Sequence, residues 1–217
     1  MALVALPARD PDARARLAAV GGRARPVVLA RDRALAIPGS LGELLPDGLV
    51  RGSVTVVDGM PGSGGTSVAL TLCAAVTGVG EWVAAVDLDG TLGGEAAAAA
   101  GVALDRFVVA RRVPPARWAT TVDVLLDGMS LVVAEVPRHL RVGDARRLEA
   151  RTRERGGVLV ALTDPSSRWP AGAAARLCVE GGTWPGLGAG YGLLTSRSSQ
   201  VRVADHGTRE RVGVLAG

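Results

Sequence analysis

Lysine is missing from this 217-residue chain: all 25 basic side chains are arginine. Asparagine is missing too, and glutamine and isoleucine occur once each, as Gln200 and Ile37. Without lysine there is no Schiff-base lysine, no lysine general base and no phosphate-loop lysine. The six aromatic residues are too few to fill a core, so Val, Leu and Ala must build it. No run approaches the roughly 18 uncharged apolar residues of a membrane span. Met1 to Arg16 meets charge by Arg9 and shows no secretory pattern. The two cysteines, Cys73 and Cys178, lie far apart in apolar stretches, and His139 and His206 have no partners at metal-ligand spacing. A cytoplasmic protein with buried free thiols, away from any membrane, is the expectation.

What is present is a segmented charge and a regular apolar rhythm. Residues 1–37 hold seven Arg against three Asp, and residues 138–155 hold seven Arg against Asp144, Glu149 and Glu154. Each segment is +4; since the whole chain is +4, the remainder sums to −4. Two basic segments therefore flank an acidic middle, and a charged partner would be read by segments. In the first segment Asp12 to Val20 is expected as a short helix and Pro26 to Leu29 as a short extended piece.

From Leu41 onward the spacing predicts strands at Val54–Val57, Trp82–Val86, Phe107–Ala110, Leu131–Val136 and Val158–Leu162. Between them it predicts helices near Thr66–Val76, Glu95–Ala100, Trp118–Leu126 and Val142–Glu154. Strands that alternate with helices and read as continuous apolar runs imply an α/β fold with a mainly parallel, doubly wound sheet covered on both faces. After Pro170 the rhythm changes, and strand-like Ala175–Val179 and Gln200–Ala204 suit an antiparallel C-terminal extension. The expected organisation is a basic N-terminal appendage over 1–40, a core domain over 41–205 and a tail over 206–217. The tail segment Arg209 to Leu215 forms a partner-binding strand or frays.

Gly59-Met60-Pro61-Gly62-Ser63-Gly64-Gly65-Thr66 follows a strand and opens a helix, the setting of a phosphate-binding loop. Gly59, Gly64 and Thr66 fit the spacing G-x-x-x-x-G-K-[ST], but Gly65 stands where lysine belongs. Gly59, Gly62, Gly64, Gly65, Thr66 and Ser67 are thus a degenerate nucleotide-binding set, without the cation that meets the β- and γ-phosphates. No arginine lies within the loop to replace it. Three readings stay open: a tight turn of inherited shape, nucleotide binding without efficient hydrolysis, and true ATPase activity. Magnesium would be held by Thr66 and by Glu135 at the end of an apolar strand, with Glu in place of the more usual Asp. Asp87 and Asp89 converge on the same sheet edge, and Asp89 is the one weak catalytic candidate, as an orienter of water. The cofactor expectation is none, or weakly bound ATP with Mg2+.

The order of these pieces resembles RecA-like domains. Leu44-Leu45-Pro46-Asp47-Gly48-Leu49-Val50-Arg51-Gly52-Ser53-Val54 is similar to the lead-in to the first core strand of that family. Val86-Asp87-Leu88-Asp89 looks like the strand carrying its catalytic acid, and Ala100 to Phe107 like its Leu-Gly-Val segment. Leu131 to Glu135 looks like the magnesium-binding strand. Gln200-Val201-Arg202-Val203 resembles the late strand whose basic residues reach a neighbouring subunit's nucleotide. The likeness runs from about Leu41 to Ala204. With Gly65 and Glu135 altering the site, and only Thr163 to Pro170 where a recombinase has a long DNA-gripping loop, the chain resembles a degenerate RecA paralogue of the ImuA type. Arg51-Gly52-Ser53 and Asp144 to Val160 most suggest it. The resemblance implies a non-catalytic adaptor in damage-induced translesion synthesis, with an ImuB-like polymerase homologue or RecA as partner. The alternative is an ATP-dependent single-strand-binding mediator with weak ATPase activity, in which Arg202 acts in trans. An unrelated phosphoryl-transfer enzyme on a phosphate-loop fold is a third class, but no acceptor motif supports it.

Arg147, Arg151 and Arg155 share a helix face at i, i+4, i+8, where like charges repel unless an anion sits against them. A solvated outer helix and a contact with DNA phosphates or an acidic protein both account for them. Trp184 and Tyr191, set among glycines, either stack on bases or pack a hairpin onto the sheet.

Overall fold

The computed structural model describes residues 33–183, 185–186, 192, 196–205 and 210–216. Asp12 to Val20, Pro26 to Leu29, Trp184, Tyr191 and His206 lie outside the described residues.

A two-residue strand β1 (Ala34–Leu35) and helix α1 (Gly39–Leu44) lead to β2 (Leu49–Val50), which pairs antiparallel with β1. Then follow β3 (Ser53–Gly59), α2 (Gly65–Gly78), β4 (Val83–Asp87), α3 (Gly94–Ala99) and β5 (Phe107–Arg111). The alternation continues through α4 (Pro115–Leu126), β6 (Leu131–Glu135), α5 (Val142–Arg155) and β7 (Val158–Thr163). Three strands close the chain: β8 (Ala175–Glu180), β9 (Ser198–Asp205) and β10 (Glu210–Ala216).

The main sheet has eight strands in the order β10-β9-β8-β3-β7-β6-β4-β5. From β8 to β5 every neighbouring pair is parallel, as the strand–helix alternation requires. β8 differs from expectation, because it lies parallel to β3, with Val57 opposite Leu177 and Gly59 opposite Val179. The antiparallel extension begins one strand later, at β9. β10 adds to β9 over Glu210 to Ala216 and forms the outer edge.

Period-two alternation splits the apolar runs between two cores. On β6 and β7, Leu131, Val133, Val158 and Val160 face one layer, with Val68, Leu72, Cys73 and Val76 of α2. Val132, Ala134, Leu159 and Ala161 face the other, with Trp118, Val122 and Leu126 of α4 and Ala145 and Leu148 of α5. The spacing Trp118-Val122-Leu126 is one helix face, and a proline in the first turn sets the start of α4 three residues before Trp118. Cys73 is buried and Cys178 half-buried, and both are free thiols. Burial pushes the Cys73 thiol up to about 12, so it packs as a small apolar group with no thiolate to offer.

No helix among the described residues is long and apolar enough to cross a membrane.

Candidate functional site

β3 and α2 hold the glycine loop between them at the carboxyl end of the parallel strands. Gly64 takes φ +114, a region that L side chains avoid, and caps α2. A Cβ there would also stand 2.6 Å from both Arg197 Nη2 and Ser199 Oγ, so glycine is required twice over. At Gly59 a Cβ would fall 2.4 Å from Ser63 Oγ. The N–H groups of Gly65, Thr66 and Ser67 lie in the first turn of α2, where a helix offers no acceptor, and they give this end its partial positive charge.

A cleft of about 420 Å³ opens over the loop. Gly59, Gly62, Gly64, Gly65, Thr66 and Ser67 line it together with Asp89, Glu135, Arg138, Asp164 and Arg197. The fold therefore brings the whole degenerate phosphate-loop set to one place, with both acids singled out from sequence. β7 lies between the loop strand and the acid-ended β6, so Glu135 faces Thr66 across one intervening strand.

The acids have structural duties. Glu135 Oε2 accepts a 2.6 Å hydrogen bond from the Leu88 N–H, tying β6 to the turn after β4. Burial pushes the Glu135 carboxyl above its ordinary value. The Leu88 N–H opposes the push, and the nearby charges of Asp87 and Asp89 add to it. Asp87 is buried and accepts N–H bonds from Gly90 at 2.8 Å, Thr91 at 3.1 Å and Leu92 at 2.9 Å, which fixes the turn into α3. Asp89 is turned to the cleft. Asp164 accepts bonds from the Ser166 hydroxyl and N–H, both at 2.7 Å, and the hydroxyl above all holds its carboxyl below the usual value. Among the described residues, no three His, Cys, Asp or Glu side chains gather closely enough to hold a metal ion. A cation here would be shared with a ligand's oxygens.

Arg197 is the residue that sequence reasoning missed. No arginine lies within the loop, yet topology delivers one to it. β8 runs parallel to β3, so its carboxyl end lies at the loop end of the sheet. The antiparallel β9 must therefore begin there, with Val179 opposite Gly59 on one side and Val201 on the other. Arg197 immediately precedes β9, and Ser199 anchors the segment by donating a 2.8 Å hydrogen bond from its buried hydroxyl to the Ser63 carbonyl. The readable signal was an arginine at the start of a returning antiparallel strand.

The other basic candidates are occupied elsewhere. Arg202 on β9 pairs with Glu180 on β8 and Glu210 on β10, each at 3.0 Å, and does not line the cleft. Arg151 reaches Asp127 at 2.7 Å, Glu154 at 3.0 Å and Asp123 at 3.6 Å, and Arg155 reaches Asp127 at 3.0 Å. The anions against this helix face are thus Asp123 of α4, Asp127 at its C-terminal cap and Glu154 of α5 itself. Arg147 stands 4.0 Å from Asp144 and lines a separate hollow of about 890 Å³ between α4 and α5, with Arg138, His139 and Arg141.

Arg51, in the Arg51-Gly52-Ser53 lead-in, places its guanidinium against both oxygens of Glu81, at 2.7 and 2.9 Å. Burial pushes the Glu81 carboxyl up, but the Ser130 hydroxyl and the Arg51 guanidinium outweigh it and hold the carboxyl below its ordinary value.

The family model for the MT3502 N-terminal domain matches residues 43–171, more than half of the chain, and the chain belongs to that family. The matched span holds the loop, Asp89, Glu135 and the arginine-rich helix, and it ends before β8 and Arg197. No curated protein matches the chain.

Proposed function

We propose that this member of the MT3502 N-terminal domain family is a RecA-fold adaptor that does not turn over ATP. In this reading it serves damage-induced translesion synthesis in the manner of ImuA, by binding an ImuB-like polymerase homologue or RecA. The observation that carries the non-hydrolysing part is the joint state of Gly65 and Glu135. The loop position that should hold a cation holds a glycine, and the strand-end carboxylate that should share a magnesium ion is bound to the Leu88 N–H at 2.6 Å. Transition-state charge on a γ-phosphate then lacks its usual partners on the loop side.

The RecA-like part draws support from chain order: the loop strand comes first, then acid-ended β4, then acid-ended β6, with all three carboxyl ends around one cleft. The partner is inferred from the resemblance alone. The purified chain with ATP, Mg2+ and single-stranded DNA should release phosphate no faster than its Thr66→Ala variant. Capture on the immobilised chain should retain purified ImuB-like protein or RecA. ATP turnover abolished by Thr66→Ala or Glu135→Ala would overturn the adaptor reading.

A second reading, an ATP-dependent single-strand-binding mediator, is favoured by Arg138 and Arg197 at the cleft. It requires turnover stimulated by single-stranded DNA, which the same phosphate-release measurement detects.

A further inference from the structure

We infer that Arg197 supplies, from outside the loop, the phosphate-binding charge that lysine supplies within one, so that the cleft holds a di- or triphosphate chain together with a divalent cation. The inference goes beyond the adaptor reading, because an adaptor without turnover can still carry a bound nucleotide.

Two features converge. The guanidinium of Arg197 lies against Gly64, 2.6 Å from where a Cβ would stand, and it lines the same cleft as the first turn of α2. Its place is fixed two residues later by Ser199, whose buried hydroxyl is bonded to the loop carbonyl of Ser63.

Charge selects the ligand. Arg138 and Arg197 face Asp89, Glu135 and Asp164 around the cleft, one formal negative charge in excess. A bare phosphate chain is repelled by that balance, whereas one carrying a divalent cation satisfies both the arginines and the acids. The volume of about 420 Å³ suits a ligand of nucleotide size. Arginine is the stronger choice here, since its planar fork meets two phosphate oxygens at once.

The test is calorimetric binding to the full chain, with ATP–Mg2+ in one arm and tripolyphosphate–Mg2+ in the other. The wild-type chain is expected to bind at submillimolar concentration. Equal affinity in the two arms means that the phosphate chain alone is read; tighter ATP means that the base is also held. Arg197→Ala should weaken binding about tenfold or more, the usual cost of a lost charge-assisted contact. Arg197→Lys should keep much of the affinity and Arg197→Gln should lose it, which separates charge from side-chain size. Adding Gly65→Lys to Arg197→Ala should restore binding, a rescue that a merely structural arginine would not give. No binding at millimolar ligand, or equal binding by the wild type and Arg197→Gln, overturns the inference. Phosphate release measured on the same samples keeps the two ideas apart: turnover with Arg197-dependent binding sinks the adaptor reading and leaves Arg197 standing.

Discussion

Two sets of arginines divide this molecule, and the fold puts them in different places. On α5, Arg151 and Arg155 sit in the most basic stretch of the described chain, yet Asp123, Asp127 and Glu154 meet them within the fold. Arg197 lies between Ser196 and Ser198 in sequence, and topology places it on the cleft over the glycine loop. Density of like charge along a helix is thus a poor guide to an anion-binding face, because compensating acids come both from the neighbouring helix and its cap and from the same helix. A single charge beside a returning strand is the better candidate.

The comparison can be broken at either end. Gly64→Ala should have the largest effect on stability. It combines a positive φ with a collision against Arg197 and Ser199, and should lower the unfolding free energy in urea by about 2 kcal/mol. It should weaken ATP–Mg2+ binding as well; a fully stable variant would mean that the loop and the β9 lead-in are not held together. Asp127→Asn removes the carboxylate that Arg151 and Arg155 share. The melting temperature should fall by about 2 °C at low salt and by less at high salt, since exposed pairs are weak and screened.

Arg147→Ala should leave the melting temperature within about 1 °C of the parent, because its pair with Asp144 is long and exposed. If Arg147→Ala or Arg151→Ala instead lowered a salt-sensitive affinity for single-stranded DNA, the α5 face would be an interface and the contrast with Arg197 would fail. The smallest expected effect is electrostatic and local. The Glu81 carboxyl is held below its ordinary value, so its pairing with Arg51 stabilises the fold at neutral pH and is lost as pH falls through that lowered value. Arg51→Ala should raise the Glu81 titration midpoint seen by NMR and shift the onset of acid unfolding to slightly higher pH.

Much of the architecture is legible in the sequence because its physics is local. The runs Val54–Val57, Leu131–Val136 and Val158–Leu162 need only period-two patterning and bounding turns to declare themselves, and Trp118, Val122 and Leu126 only helical spacing. The glycine loop is legible for the same reason, since its backbone conformation demands glycine on the spot. The direction of β8 is not local. Nothing within Ala175–Val179 tells a strand parallel to β3 from an antiparallel one, because the choice is made by the connection from β7. Arg197 and the acids opposite Arg151 escape notice on the same ground: each contact is set by which elements become neighbours. The duty of Asp87 is hidden as well: sequence shows only an acid at the sheet edge, while in the fold its oxygens are taken up by three backbone N–H groups.

The bond from Ser199 to Ser63 spans 136 positions of chain. Closing so long an interval is slow compared with forming β3 or α2, whose own contacts are short in sequence. During synthesis the strand and helix around the loop can therefore be in place while the cradle itself stays unfinished, until the segment bearing Arg197 and Ser199 has left the ribosome. The cleft therefore matures after the loop that floors it, and any ligand of that cleft distinguishes a finished cradle from a half-built one.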